Sequence, residues 1–265
     1  MTNAPIIDKV CIVTGGGSGI GAALCRAMMA DGAAGVAVVD CNLHAAQEIA
    51  NELGSAAVAI GCDVGDEAGV NAMVDTVMDR FGRIDVLCNN AGIANDGDIL
   101  ATSIAVWDQQ WQVNLMAHVY AVRAVLPHML KRGSGIIQHT ASMAGILTSH
   151  GTCTYATTKH AVVGLAEWLS ISYHDRGIRV HLLAPLGVKT PMFDTSPDFA
   201  RNAASGPISE PEEVARQVLD AFAEERFLVL TDPVAQTWME RKVTDLERWL
   251  VGMRRLQGRL FPPAS

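Results

Sequence analysis

Tyr155 and Lys159 stand four positions apart in a stretch of helical composition, Tyr155–Arg176. At helical pitch they share one face, one turn apart. A free phenol titrates near ~10, so serving as a base near neutrality needs a shift of roughly 3 units, or about 4 kcal/mol. An ammonium beside it favours the phenolate. Such a pair is common by chance, and a second group gives it meaning. Ser142 ends the apolar run Gly135–Ala141, thirteen residues before Tyr155. A hydroxyl there can hold a substrate oxygen while negative charge develops on it, although a serine after a strand can also cap a turn.

A second constellation lies near the start. The run Lys9–Thr14 ends in Thr14-Gly15-Gly16-Gly17-Ser18-Gly19-Ile20-Gly21. Glycines let a backbone approach a pyrophosphate, and the helix that follows offers free amides at its positive end. The spacing fits G-x-x-x-G-x-G on Gly15, Gly19 and Gly21; G-x-G-x-x-A on Gly17, Gly19 and Ala22 is the other register. Asp40 ends the next apolar run, 19 residues past Gly21. A carboxylate there can accept from both hydroxyls of an adenosine ribose and repels a 2′-phosphate. Cys41 follows it where an arginine would suit NADP, so NAD is the expected cofactor. The alternative is that Asp40 caps the helix starting near Leu43. Asp63 could meet an adenine amino group or cap a loop. Asn89-Asn90-Ala91-Gly92 closes a further strand, at the edge of a parallel sheet where ligands bind; asparagine there can also simply tie loops together.

These residues need a scaffold, and the alternation of apolar runs with helical patterns supplies one. Strands are predicted at Lys9–Thr14, Val36–Asp40, Ala57–Ile60, Ile84–Cys88, Gly135–Ala141, Ile178–Ala184 and Phe227–Thr231, with helices between them. Near-continuous apolar strands alternating with helices indicate an α/β fold whose parallel sheet is covered on both faces. One long helix is expected over Ala105–Lys131, bent at Pro127. Thr190–Gly206 reads as an irregular lid. Ser209-Glu210-Pro211-Glu212 fits a capping box opening a helix to Glu225. A helical tail spans Pro233–Gly258, with Trp238 and Trp249 eleven apart and able to share a face.

Together, the glycine register, Asn89–Gly92, Asn114, Ser142, Tyr155 and Lys159 resemble the short-chain dehydrogenase/reductase family over about Lys9–Thr231. The resemblance implies one Rossmann-like, doubly wound domain over 1–265. It would have seven parallel strands in the order 3-2-1-4-5-6-7, a lid at 188–207 and a helical extension at 233–258. It implies Tyr155 as proton donor and acceptor, Lys159 lowering its pKa and binding the nicotinamide ribose, and Ser142 orienting the substrate oxygen. Asn114 would hold a water in a proton path to Lys159, or else stabilise a helix kink. Cofactor contacts are expected from Gly15, Gly17, Ser18, Gly19, Ile20 and Gly21, and from Asp40, Cys41, Asp63 and Val64. Further contacts would come from Asn90, Ala91, Gly92, Tyr155, Lys159, Pro185, Gly187, Val188 and Thr190. One motif departs: Pro185-Leu186-Gly187-Val188-Lys189-Thr190 carries its glycine one place later than the family pattern, with Leu186 in the slot.

The expected substrate pocket draws on Met143, His150, Leu186, Met192 and Phe193. Its rim (Met143, Ile146, Leu147, Leu186, Val188, Met192, Phe193) reads as apolar, without an arginine to clamp a carboxylate or phosphate. A neutral, largely apolar alcohol or ketone is therefore the expected small-molecule partner. The alternatives are an NADPH-dependent carbonyl reductase and a dinucleotide sensor without chemistry. The eight histidines and six cysteines show no metal-ligand spacing, so no metal is expected. A formal net charge of -8 disfavours nucleic acid as a partner. Reduced thiols, no signal-peptide pattern in Met1–Val10 and no long apolar span point to a cytoplasmic protein away from membranes. Met116–Leu130 and Tyr155–Ser172 resemble helices that pair between subunits in the family, implying a homotetramer or homodimer.

Overall fold

The computed structural model describes residues 5–262; the ends of the expected 1–265 domain, and residues 1–4 of the N-terminal stretch, lie outside them. The chain begins β1 (Val10–Thr14), α1 (Gly19–Ala30), β2 (Gly35–Asp40), α2 (Leu43–Leu53), β3 (Ala57–Gly61), α3 (Glu67–Phe81), β4 (Val86–Asn89) and α4 (Ile104–Trp111). It continues with α5 (Ala117–Arg132), β5 (Gly135–Thr140), α6 (Ala144–Leu147), α7 (Cys153–Tyr173), β6 (Ile178–Ala184) and β7 (Gly187–Val188). The last part is α8 (Met192–Thr195), α9 (Pro197–Ala203), β8 (Ile208–Ser209), α10 (Pro211–Ala223), β9 (Leu228–Leu230), α11 (Pro233–Thr244) and α12 (Leu246–Leu260).

Seven strands form one parallel sheet in the order β3-β2-β1-β4-β5-β6-β9. This is the expected order, with β9 in seventh place because the short pair β7-β8 stands apart from the sheet. The reversal of order beside β1 opens a crevice at the carboxyl ends of β1 and β4, where ligands bind in such sheets. Alternation along β1 sends Val10 and Ile12 into one core, with residues of α3, α5 and α7. Cys11 and Val13 enter the other, with α1, α2 and α10. Strands buried on both faces need apolar residues at every position, which is why the run Val10–Thr14 is entirely buried.

Four local expectations change. The long helix runs on through Pro127, which sits inside α5. Its irregularity is a π-helical stretch, Gln112–Met116, between α4 and α5; the wider turn lets the Asn114 amide reach a neighbouring loop. The capping box is not formed: Glu210 is the N-cap of α10 without a side-chain cap bond, and Pro211 occupies the first turn. Ser209 is drawn instead into β8, where its carbonyl accepts from Lys189 N. The irregular lid contains two short helices, α8 and α9. The tail breaks at Asp245, whose carboxylate accepts from Arg248 N and starts α12.

Candidate active site

The glycine turn after β1 is shaped for close approach. A Cβ on Gly21 would lie 2.0 Å from the Gly15 carbonyl oxygen, and one on Gly17 would lie 2.9 Å from Asp40 Oδ2. Ser18, the N-cap of α1, makes no side-chain cap bond, and the first turn has no acidic residue. The amides of Gly19, Ile20 and Gly21 therefore begin a helix with its positive end uncompensated by the chain. Thr190 lies against this turn: a Cβ on Gly19 would fall 2.9 Å from its methyl carbon.

Asp40 Oδ2 accepts from Gly17 N at 3.0 Å, and Oδ1 accepts from Asn42 N at 2.9 Å. The N-cap of α2 is Asn42, which accepts from Ala45 N, so Asp40 is not the helix cap. Its carboxylate is half-buried at the mouth of the turn, with Cys41 exposed beside it. Asp63 is exposed and accepts from Gly65 N at 2.9 Å; Val64 behind it is buried. Asn90 ties the loops together. Its amide nitrogen donates to the Thr14 carbonyl at 3.1 Å, and its backbone N and that of Ala91 both donate to Thr14 Oγ1.

Ser142, Tyr155, Lys159 and Asn114 converge at the carboxyl edge of β4 and β5, all buried. The Ser142 hydroxyl stands near the Tyr155 phenol, whose pKa it lowers, and accepts from Ala144 N at 3.0 Å. Lys159 Nζ donates to the Thr140 carbonyl at 2.8 Å and lies 5.6 Å from the Tyr155 ring centre. The Asn114 amide is spanned by Ile93, whose N donates to Oδ1 at 2.8 Å and whose carbonyl accepts from Nδ2 at 2.9 Å. Nδ2 also reaches Thr158 Oγ1 at 3.1 Å. Gly92 passes close by, since a Cβ there would come within 3.2 Å of Lys159 Nζ and 3.3 Å of Asn114 Oδ1.

The electrostatics differ from the sequence expectation. Burial pushes the Tyr155 phenol up to about 12, opposed by the Ser142 hydroxyl. Burial also pulls Lys159 down to about 8. Desolvation penalises both charged forms, so the chain's own groups leave the phenol protonated at neutral pH.

A cavity of about 400 Å³ opens from Ser142. Of the expected pocket residues it is lined by Met143 and Leu186. His150, Met192 and Phe193 do not line it. His150 is buried toward the tail, with Nδ1 2.7 Å from Gln257 Oε1 and its backbone N donating to Asn202. Phe193 stands edge-on to Phe199, and Phe199 lines the cavity along with the lid residues Asn202, Ala203, Ser205 and Gly206. The other wall comes from the tail. Trp238 on α11 and Trp249 on α12 both face it, along with Arg241 and Arg259. The two tryptophans meet because α12 folds back on α11, not because one helix aligns them. The rim therefore does contain arginines, contrary to the expectation from β-edge and lid residues alone. Phe199, Arg241 and Arg259 were not anticipated as pocket residues; no spacing rule links them to Ser142.

Pro185 O accepts from Met143 N at 2.9 Å, and Leu186 N donates to Thr231 Oγ1 at 3.2 Å. Gly187 and Val188 are held buried in β7 against β8, which sets the stretch leading to Thr190 against the glycine turn.

A family model described as short chain dehydrogenase matches residues 9–200. The chain is 36% identical over 214 residues to meso-2,3-butanediol dehydrogenase of Serratia marcescens, covering 78% of this chain and 84% of that protein. It is 38% identical over 223 residues to 3-alpha-(or 20-beta)-hydroxysteroid dehydrogenase of Mycobacterium tuberculosis, covering 83% and 84%. Among solved structures, a short chain dehydrogenase/reductase from Burkholderia phymatum in complex with NAD superposes with a TM-score of 0.85 at 28% identity, covering 92% of this chain and 95% of that one.

Proposed function

The chain belongs to the short-chain dehydrogenase/reductase family, and from that premise we propose that it interconverts a secondary alcohol and a ketone, with Tyr155 as the acid/base and NAD as its preferred dinucleotide. The observation that carries this reading is the convergence of Ser142, Tyr155 and Lys159 at the sheet edge beside the glycine turn. The turn fits a dinucleotide: the glycines keep a cradle open that any Cβ would fill. Gly15, Gly17, Ser18, Gly19, Ile20 and Gly21 would hold the pyrophosphate. Asp40 would take the adenosine ribose, with Cys41, Asp63 and Val64 around the adenine. Asn90, Ala91, Gly92, Pro185, Gly187, Val188 and Thr190 would flank the nicotinamide half. When bound, the nicotinamide supplies the hydride acceptor or donor.

The chain's own residues do the proton work. Ser142 donates to the substrate oxygen and holds it at the phenol. Tyr155 takes the hydroxyl proton during oxidation and returns it during reduction. Lys159, fixed by the Thr140 carbonyl, places positive charge near the phenol and favours its ionised form. Asn114, anchored by Ile93, stands beside Lys159 to order a proton path toward solvent. Asp40 disfavours a 2′-phosphate by like-charge repulsion, which selects NAD over NADP. The cavity walls of Met143, Leu186, Phe199, Trp238 and Trp249 suit a largely apolar alicyclic, aromatic or steroid-like body.

The catalytic domain would work in the cytoplasm as a homotetramer or homodimer. Large apolar side chains stand exposed on one of the helices expected to pair, Trp168 and Ile171 on α7; light scattering that returned only monomer would remove this part. The reaction is tested by Tyr155→Phe with a panel of cyclic secondary alcohols. Turnover should vanish while NAD+ binding, read by tryptophan fluorescence, persists. Unchanged turnover would overturn the mechanism.

A further inference from the structure

The cavity beside Ser142 has a mixed polar and apolar wall, and among the described residues its only ionisable lining residues are Arg241 and Arg259. No aspartate or glutamate lines it. This is unusual in a chain of net charge -8, and it has a local origin. Residues 233–262 carry six of the chain's twenty basic residues against three acidic ones. Several arginines elsewhere are committed: Arg216 grips Asp31, Arg26 grips Glu52 and Arg179 grips Glu225. Among the described residues, Arg241 and Arg259 make no salt bridge and no side-chain hydrogen bond, although Asp245 and Glu247 lie on the same two helices. Trp249, on the same wall, keeps a buried indole N–H without an acceptor.

We propose that the substrate of this site carries a carboxylate, held by Arg241 and Arg259 at the tail end of the cavity while its secondary alcohol or ketone carbon lies at Ser142. The inference rests on the oxidoreductase reading above and narrows its substrate class. A guanidinium presents a planar fork of donors that matches a carboxylate in a bidentate pair. Both guanidiniums are exposed at the cavity mouth, and with no carboxylate of the protein along the wall they are available to pair with a ligand. Leu186, Phe199, Trp238 and Trp249 share the cavity wall with Ser142 and the arginines, which favours an apolar body between the reacting carbon and the anion. The tail therefore selects the substrate's far end, whereas the sheet edge selects its reactive end.

The test uses one matched pair of probes, 4-(4-hydroxycyclohexyl)butanoate and its methyl ester, with the NAD+-loaded protein. Binding is read by tryptophan fluorescence, which does not depend on turnover, and oxidation is read separately as NADH formed. The acid should bind about tenfold or more tightly than the ester, the scale of a charge-assisted hydrogen bond. The preference should shrink as salt is raised. In Arg241→Met/Arg259→Met the acid-to-ester ratio should fall to about one. Arg254→Met/Arg255→Met, which removes the same two charges from α12 outside the cavity lining, should leave the ratio where it was. Equal binding of acid and ester in the unaltered protein, or a preference that survives the double substitution, overturns the proposal. Loss of NADH formation from both probes, with the binding preference intact, would count against the oxidoreductase reading while leaving the carboxylate site standing.

Discussion

The ring of Phe199 stands edge-on to the phenol of Tyr155, with centroids 5.2 Å apart and planes at 79°. One residue comes from the lid and the other from the helix carrying the acid/base. The contact packs the lid against the helix that carries the phenol and so limits where a substrate ring can lie. Phe199→Ala should lower kcat/KM for cyclic alcohols by about tenfold, as expected when an aromatic contact worth roughly 1 kcal/mol and its burial are lost. Steady-state kinetics on the variant checks this; an unchanged kcat/KM would place Phe199 outside the productive complex.

Asp40 provides a cofactor prediction. Its carboxylate is already bonded to Gly17 N and Asn42 N, so it is held where a ribose 2′-substituent would arrive. Asp40→Ser should raise kcat/KM for NADP+ and lower it for NAD+. The ratio between the two should shift by roughly 100-fold or more, on the scale of removing one close like-charge contact and one charged hydrogen bond. Identical ratios in the two proteins would remove Asp40 as the selector.

The phenol must be brought down from about 12 by something other than burial. A cationic nicotinamide beside it favours the phenolate. The tyrosinate absorbance assigned to Tyr155, by difference from Tyr155→Phe, should thus titrate at lower pH once NAD+ is added. The Ser142 hydroxyl also lowers this pKa. In Ser142→Ala the acidic limb of the oxidation rate should accordingly move to higher pH, alongside a loss of kcat. An acidic limb at the same pH in both proteins would separate Ser142 from the titration.

A pair of buried histidines is expected to weaken the fold in acid. His118 Nδ1 and His139 Nδ1 are 2.9 Å apart, in stacked rings. Burial lowers both, His139 to about 3. The unfolded chain takes up these protons near ~6.5. Below that pH it binds more protons than the fold does, so stability falls as pH drops from about 6.5 toward 3, by up to about 1.4 kcal/mol per pH unit for each ring. Calorimetry from pH 7 to 5 should show a flatter decline in Tm for His118→Leu/His139→Leu. Parallel declines in both proteins would refute the assignment.

Local spacing explains why so much was readable beforehand. The alternation within β1 had to reach both cores, because a parallel strand buries both faces. Four residues of helix place Tyr155 and Lys159 on one face wherever that helix lies. The glycine turn carried its own steric reason, visible as the 2.0 Å approach that a Cβ on Gly21 would make to Gly15. Asn114 was legible as a polar residue in a helix, but not the π turn that frees its amide for Ile93, since that depends on a loop 21 residues away in sequence.

The sequence by itself determined the parallel α/β sheet, the dinucleotide turn and the reactive trio, because each is encoded by periodicity or by one local steric demand. The tertiary structure decided what faces that trio. It turned His150 toward Gln257, brought Phe199 over the phenol and folded α12 back so that Trp238, Trp249, Arg241 and Arg259 share a wall with Ser142. Those partners lie from 57 residues (Phe199) to 117 residues (Arg259) beyond Ser142 in the chain, and their meeting depends on how whole helices pack, which no short-range pattern specifies.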